Sequence, residues 1–440
     1  MKGRKKTEKG YHMETFLIHG KFRSEKWDYN HHVIPPITAS TAFRLDSALR
    51  GQQGFIDFAD AKYAARALSP IYIYDRLDEP TVGMLEDFLK EVEGGEAAVA
   101  FACGMAAISA ALVVTAKTGS EIVAHRTLYG CTFSLMTNWL PKLGIKTKFV
   151  DMTDESEIRN AINEKVRAVY FETPSNPTLE IIDIEMVRRC VDEENARRGH
   201  KDKILVMVDN TFATPYIQRP LRHGADIVVE SLTKNIGGFG VDMGGAVIVP
   251  ERLRKSFRGY RKDFGGVLPP SNAWSIMVYG LPTLKLRIKR QEETAAKVAK
   301  FLSGHPAISK VSYPGLKNFP GLEIAKRQMC NLDGEFSPGT LIYFEVAGSL
   351  EDAGKRCGSL IDYIAENSYS ITLAVSLGMI KTLIESPGLM THCAYSADEQ
   401  SRIGIHPGGV RLSIGLEDAE DIMRDLGEAL NVISDCSQPL

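Results

Sequence analysis

From about residue 95 to residue 250, short apolar runs alternate with stretches of helical spacing. "EIVAHRT", "KTKFVDM", "RAVYFETP", "KILVMVDNT", "DIVVES" and "GGAVIVP" are rich in β-branched residues and have the length of strands. Between the first of them lie "CTFSLMTNWLPKLG", closed by Gly144, then "DESEIRNAIN" and "EMVRRCVDEENARRG", each with the periodicity of a helix. The strands are almost continuously apolar rather than alternating, so both of their faces must be buried. That pattern predicts an α/β fold built on a mostly parallel sheet with helices on both faces. Ahead of them, "AAVAFACGMAAISAALVVTA" reads as a buried core helix, with a helix start at Gly104 and Met105.

Further on, "NAWSIMVYGLPTLKLRIKRQEETAAKVAKFLSGHP" is a long helical stretch that Pro282 should kink or break. It is placed to bridge to a smaller C-terminal α/β domain, whose strands would be "TLIYFEV", "ITLAVSLG" and "VRLSIGL" and whose closing helix would be "DAEDIMRDLGEALNVI". The first sixty or so residues lack clear periodicity and read as an arm. The expected organisation is an N-terminal arm over 1–65, a large domain over 66–280 and a C-terminal domain over 281–440.

Composition narrows the class. A formal net charge of -2 argues against a nucleic-acid binder and against a polybasic membrane partner. The basic "MKGRKKTEKG" at the start is followed by no apolar stretch of signal-peptide length, so a solvated tail and a cytoplasmic protein are expected. The cysteines are scattered without C-x-x-C spacing, and His31 and His32 would point to opposite sides of an extended chain; no disulfide framework and no metal site are expected.

Ligands of open α/β sheets bind beyond the carboxyl ends of the strands. Three polar groups follow strand candidates here: Glu172, Thr173 and Asn176; Asp209 and Asn210; and Ser231 to Lys234. One crevice could receive all three. A lysine in that setting can serve as a nucleophile once burial or nearby cations neutralise its amine. Pyridoxal phosphate (PLP) gives a consistent set of partners: Lys234 for the imine, Asp209 for the pyridinium nitrogen, and Ser231, Thr233 and the helix start at Gly104 and Met105 for the phosphate. The rival reading of "GFGVDMG" as a dinucleotide fingerprint fails on spacing, with three residues rather than two before the last glycine.

"VDNTFATPYIQRPLRHGADIVVESLTK" resembles the lysine-site signature of the Cys/Met-metabolism PLP enzymes, and the likeness runs from about residue 30 to "GVRLSIGLED". The resemblance implies the PLP-transferase fold type I and a homotetramer made of two dimers that share active sites. It makes Lys234 the imine lysine and proton shuttle, with Tyr129 of "LYGCTF" stacked on the ring and Asp209 on its nitrogen. Gly104, Met105, Ser231 and Thr233 would hold the phosphate. Tyr74 and Arg76 of "YDRLDEPT" would reach the phosphate of the neighbouring subunit. Arg411 would grip the substrate carboxylate, with Ser376 and Asn176 close by.

Within that family, Cys131, the pair Lys262 and Asp263 in "RKDFGG", and Val375 in "AVSLG" resemble the methionine γ-lyases. An apolar Val375 suits a thioether methyl better than the second amino-acid head of cystathionine. The expected reaction is γ-elimination of L-methionine to 2-oxobutanoate, ammonia and a thiol, with Tyr129 as general acid, its pKa lowered by Arg76 and the phosphate. The alternatives are γ-replacement, by an O-acyl-homoserine sulfhydrylase or cystathionine γ-synthase, and cystathionine γ-lyase activity. Retention of Lys234, Asp209, Tyr129 and Arg411 speaks against a catalytically dead scaffold. Glu79, Asn235, Phe239 and Met379 depart from the family pattern.

Overall fold

The computed structural model describes residues 11–20, 32–59, 70–199, 202–391, 400–401 and 403–435. The basic tail, His31, Cys393 and Cys436 lie outside them. The segment read as an arm carries two helices, α1 (Met13–His19) and α2 (Ala48–Ala59). Met13, Phe16 and Leu17 of α1 are buried, and Phe16 meets Phe88 edge-on at 5.0 Å. These three positions fit one face of a single short helix, a signal too brief to stand out as periodicity.

Next comes α3 (Pro80–Glu93), started by Glu79 as N-cap and by Pro80 in its first turn, and ended by Gly94 in the left-handed conformation. The run expected as one core helix splits. Ala97–Phe101 is strand β1 and Gly104–Thr115 is helix α4. Helical propensity of the alanines gives way to pairing, because β1 lies antiparallel to β7 with Ala97 opposite Val249 and Phe101 opposite Gly245.

Strands β2 (Glu121–His125), β3 (Lys146–Val150), β4 (Val166–Glu172), β5 (Leu205–Asp209), β6 (Ile227–Glu230) and β7 (Gly245–Val249) complete a seven-stranded sheet of order β1-β7-β6-β5-β4-β2-β3. β7 runs antiparallel to both of its neighbours, and the remaining pairs are parallel. One face packs Val99, Phe101, Ala124, Tyr170 and Val229 against α4 and α5 (Glu251–Phe264). The other packs Val169, Val206 and Val208 against α6 (Ile184–Asn195), and Val228 and Ile248 in the core that includes α3. Both faces are dry, as continuous apolar strands require.

Around Pro282 the long helical stretch changes character: a π-helical turn at Ile276–Gly280 precedes α7 (Leu281–Ser303), with Pro282 in the first turn, where its missing N–H costs nothing. α7 leads to a second sheet of order β10-β11-β12-β9-β8, made of β8 (Ile308–Ser312), β9 (Leu341–Val346), β10 (Ile371–Leu373), β11 (Thr382–Glu385) and β12 (Gly409–Ser413). Helices α8 (Leu350–Asn367) and α9 (Ala419–Asp435) cover it, burying Leu360, Ile364, Leu426 and Leu430. "ITLAVSLG" is a strand only through Leu373; Ala374 to Gly378 leave the ladder and form a loop.

Candidate active site

The carboxyl ends of β4, β5 and β6, the start of α4 and the loop after β10 close around a cavity of about 270 Å³. Gly104, Met105, Tyr129, Asn176, Asp209 and Ser231 line it, as do Thr233, Lys234, Val375, Ser376 and Arg411. With Glu172, twelve residues named from the sequence thus meet at one place.

Lys234 lies in the turn that follows β6, and its Nζ donates to Ser376 Oγ at 2.8 Å. Burial, and then the Arg411 guanidinium, push its pKa down to about 8, with Glu385 pulling the other way. At that value roughly a tenth of the amine is neutral at pH 7, against well under a thousandth for a solvated lysine. Ser376 holds its hydroxyl there from a backbone at φ 100°, a conformation that side chains other than glycine's rarely adopt and that marks stored strain.

Asp209 ends β5. Its Oδ1 accepts the Thr211 N–H at 3.0 Å and its Oδ2 accepts the Tyr170 hydroxyl at 3.2 Å. The register of β4 on β5 sets Glu172 opposite Asp209, and Glu172 Oε1 accepts the Tyr129 N–H at 2.8 Å. Burial raises the pKa of both carboxyls, and each carboxyl's neighbourhood therefore calls for a positive group.

The first turn of α4 has no side-chain cap, since Cys103 occupies that position without capping, so its N–H groups are left to an anion. Gly104 is needed because a Cβ there would come within 2.9 Å of Ser231 Cβ. Thr233 Oγ1 accepts the Gly244 N–H at 3.1 Å and lies 3.2 Å from the Gly244 carbonyl, fixing the loop that carries Lys234.

Arg411, on β12, is 3% exposed. It donates to Asn176 Oδ1 at 2.8 Å and to the Ser376 carbonyl at 2.9 Å, and pairs with Glu385 Oε1 at 2.9 Å. Glu385, Thr211 and Tyr170 support the site without having been singled out in the sequence. Glu385 did carry a signal, the one that marked Asp209: a carboxylate ending an apolar strand.

Cys131, Tyr74, Arg76, Lys262 and Asp263 do not line the cavity. Cys131 lies close enough to Tyr129 to raise its pKa. Arg76 donates to the Lys262 carbonyl at 2.5 Å and lies 5.4 Å above the Tyr74 ring, while Lys262 pairs with Asp263 at 2.9 Å, so these four make a separate cluster. Within one chain, without the phosphate or a second copy's Arg76, the Tyr129 pKa is raised. Burial and Cys131 raise it and outweigh Arg411, and Arg76 is engaged elsewhere.

The four departures have structural counterparts. Glu79 caps α3 by accepting the Val82 N–H at 2.9 Å. Asn235 is buried beside Gly378, Phe239 lies 5.5 Å from the Arg287 guanidinium, and Met379 packs on Gly240. Asn235 and Met379 thus pack the loop after Lys234 against the segment at Gly378 and Met379.

The donors fit PLP: a buried lysine with a depressed pKa, a buried carboxyl facing the cavity, and an uncapped helix start beside two hydroxyls. The profile of the "Cys/Met metabolism PLP-dependent enzyme" family matches residues 14–431. The chain is 42% identical, over 90% of its length and 93% of the relative's, to an L-methionine gamma-lyase of Fusobacterium nucleatum subsp. polymorphum. It is 39% identical to a cystathionine gamma-lyase of Bacillus subtilis, over 82% of this chain and 89% of that one. Among solved structures, cystathionine gamma synthase from Xanthomonas oryzae pv. oryzae in complex with cystathionine superposes with a TM-score of 0.82 at 30% identity, covering 96% of this chain and 98% of that one. By sequence, by fold and by the donors at its site, the chain belongs to the Cys/Met metabolism PLP-dependent enzymes and is a fold type I PLP enzyme.

Proposed function

We propose that the enzyme is a carbon–sulfur lyase that eliminates the γ-substituent of L-methionine, giving 2-oxobutanoate, ammonia and methanethiol with uptake of one water. The observation that carries this reading is the cavity wall. Its charged residues are Glu172, Asp209, Lys234 and Arg411, and Val375, Leu377, Phe212 and Met243 contribute apolar lining. Arg411 offers one receptor for a carboxylate, and the apolar wall suits a methyl thioether. A second zwitterionic head would meet no partner among these lining residues.

PLP bound at Lys234 supplies an electron sink for negative charge at the substrate α-carbon. Arg411 orients the substrate by its carboxylate, with Asn176 fixing the guanidinium plane. Lys234 would hold the cofactor, and its amine, oriented by Ser376, would accept the substrate α-proton. Asp209, held by Tyr170 and Thr211, keeps the ring nitrogen protonated. Gly104, Met105, Ser231 and Thr233 anchor the phosphate. Tyr129, kept protonated by its surroundings, passes its hydroxyl proton to the departing thiolate.

The cluster of Tyr74, Arg76, Lys262 and Asp263 serves the cavity of a second copy, within a homotetramer of two dimers. The exposure of Tyr74 supports this placement. Among the described residues no helix is long and apolar enough to cross a membrane.

A γ-replacement reading draws support from the likeness to a cystathionine gamma synthase. Two parallel reactions separate the two. L-methionine alone is scored for 2-oxobutanoate and methanethiol, and O-acetylhomoserine with sulfide is scored for homocysteine. Elimination faster than replacement is expected; homocysteine formation with inert methionine would reverse the assignment.

A further inference from the structure

Behind the cofactor site, on the side of α3, two fully buried carboxyl groups share a partner. Glu93 closes α3 and Glu230 closes β6 immediately before Ser231; both are 0% exposed. Asn210, next to Asp209, sends its Nδ2 to Glu93 Oε1 at 3.2 Å, to Glu230 Oε1 at 3.0 Å and to the Gln218 carbonyl at 3.0 Å. The amide orientation is fixed, because Gln218 Nε2 donates to Asn210 Oδ1 at 3.0 Å and to the Thr173 carbonyl at 2.8 Å. Two amide hydrogens therefore face three oxygens, and the two carboxyls meet at one nitrogen, where Glu93 raises the pKa of Glu230.

Burial and repulsion from Glu93 and Asp209 oppose a charge on Glu230. β5 contributes Asp209, which adds repulsion, and β7 places Ala246 opposite Glu230. The nearby cation is Arg219, whose field reaches Glu93. Its guanidinium donates to the carbonyls of Pro215, Cys330 and Asn331. Burial and Glu93 together hold Glu230 in its protonated form.

We propose that Glu93 and Glu230 share one proton and act, through Asn210, as a positioning pair that holds Asp209 and Ser231 in place at the cofactor. The link is short. Asn210 N–H donates to the Val229 carbonyl at 2.9 Å, and Ser231 N–H donates to Thr211 Oγ1 at 2.9 Å, so the ends of β5 and β6 move together. A second ionisation sets two like charges in a dry space and drives those ends apart. The cofactor's ring and phosphate contacts are then lost together.

The inference rests on PLP binding at this cavity but not on which substrate is used, and its test needs no substrate. PLP-loaded wild type, Glu93→Gln and Glu230→Gln are incubated across about pH 6 to 10, and cofactor absorbance is read after gel filtration. Neither glutamine variant can exceed one negative charge in the pair at any pH. Wild type should lose cofactor in an alkaline one-proton step, roughly tenfold per pH unit in the ratio of retained to lost. In either variant the midpoint should move up by at least about one pH unit. Coincident midpoints, or a variant that is colourless at neutral pH, would overturn the proposal. Insolubility of both variants would also overturn it, because a neutral side chain of the same shape is what the pair is said to tolerate. Failure of the methionine assay would leave these curves unchanged.

Discussion

Replacing Arg411 by alanine should do more than weaken substrate binding: it strands Glu385, which is 1% exposed. At the 2.9 Å separation of the pair, two unit charges in an effective dielectric of about 20 attract by about 6 kcal/mol, before the cost of their desolvation. The net loss on deleting one partner of a buried pair is about 3–5 kcal/mol. Once Arg411 is gone, Glu385 still accepts the Thr391 hydroxyl at 2.9 Å. Glu385→Gln is milder, about 1–2 kcal/mol, because Arg411 retains Asn176 Oδ1 and the Ser376 carbonyl. In Arg411→Ala/Glu385→Gln the stranded charge is absent, so the double variant should be more stable than Arg411→Ala by about 1–3 kcal/mol. The assay is urea unfolding of the four apo-proteins at one fixed concentration, since assembly shifts apparent stability. A double variant whose loss equals the sum of the two single losses would refute the reasoning. So would an Arg411→Ala loss below about 1 kcal/mol.

Three further outcomes follow from the site. Tyr129→Phe should retain cofactor absorbance while kcat for elimination falls about 10²–10⁴-fold; near-normal kcat would remove Tyr129 from proton transfer. Burial raises the pKa of Glu79 to about 7, so the stability this group contributes is complete below its unfolded value near 4.5 and is lost as pH rises through about 7. Glu79→Gln should therefore match wild type below about pH 4 in thermal unfolding and exceed it by up to ~3 kcal/mol at pH 8, and an advantage that shrinks with rising pH would contradict this. PLP capture by apo-protein should speed up as pH rises through about 8, where Lys234 loses its proton, and level off above it. A rate still climbing toward pH 10 would mean that the lysine is unperturbed.

The strands that form the floor of the site were legible because each is a continuous apolar run ended by a polar residue, and Asp209 and Lys234 stand at such ends. Ala97–Phe101 was not. Its alanines favour a helix in isolation, and only the distant partner strand at Gly245–Val249 turns them into β1. Short α1 hid for the opposite reason, since seven residues give too few repeats to establish a period. Within the site, Glu385 carried the same strand-end signal as Asp209, but its value lies in facing Arg411 across the β11–β12 ladder, which chain order does not reveal. The Glu93–Asn210–Glu230 group was invisible for the same reason, its carboxyls being 137 residues apart in number and brought together by α3 packing on the sheet.

The proposed selection of a methyl thioether by one carboxylate receptor at Arg411 and the apolar lining at Val375 is read in one ratio. That ratio is kcat/KM for L-methionine over kcat/KM for L-cystathionine, measured on the same PLP-loaded protein through release of 2-oxobutanoate. A value above one is expected, falling when Val375 is replaced by aspartate, which gives the second head of cystathionine a partner. A wild-type preference for cystathionine would contradict it.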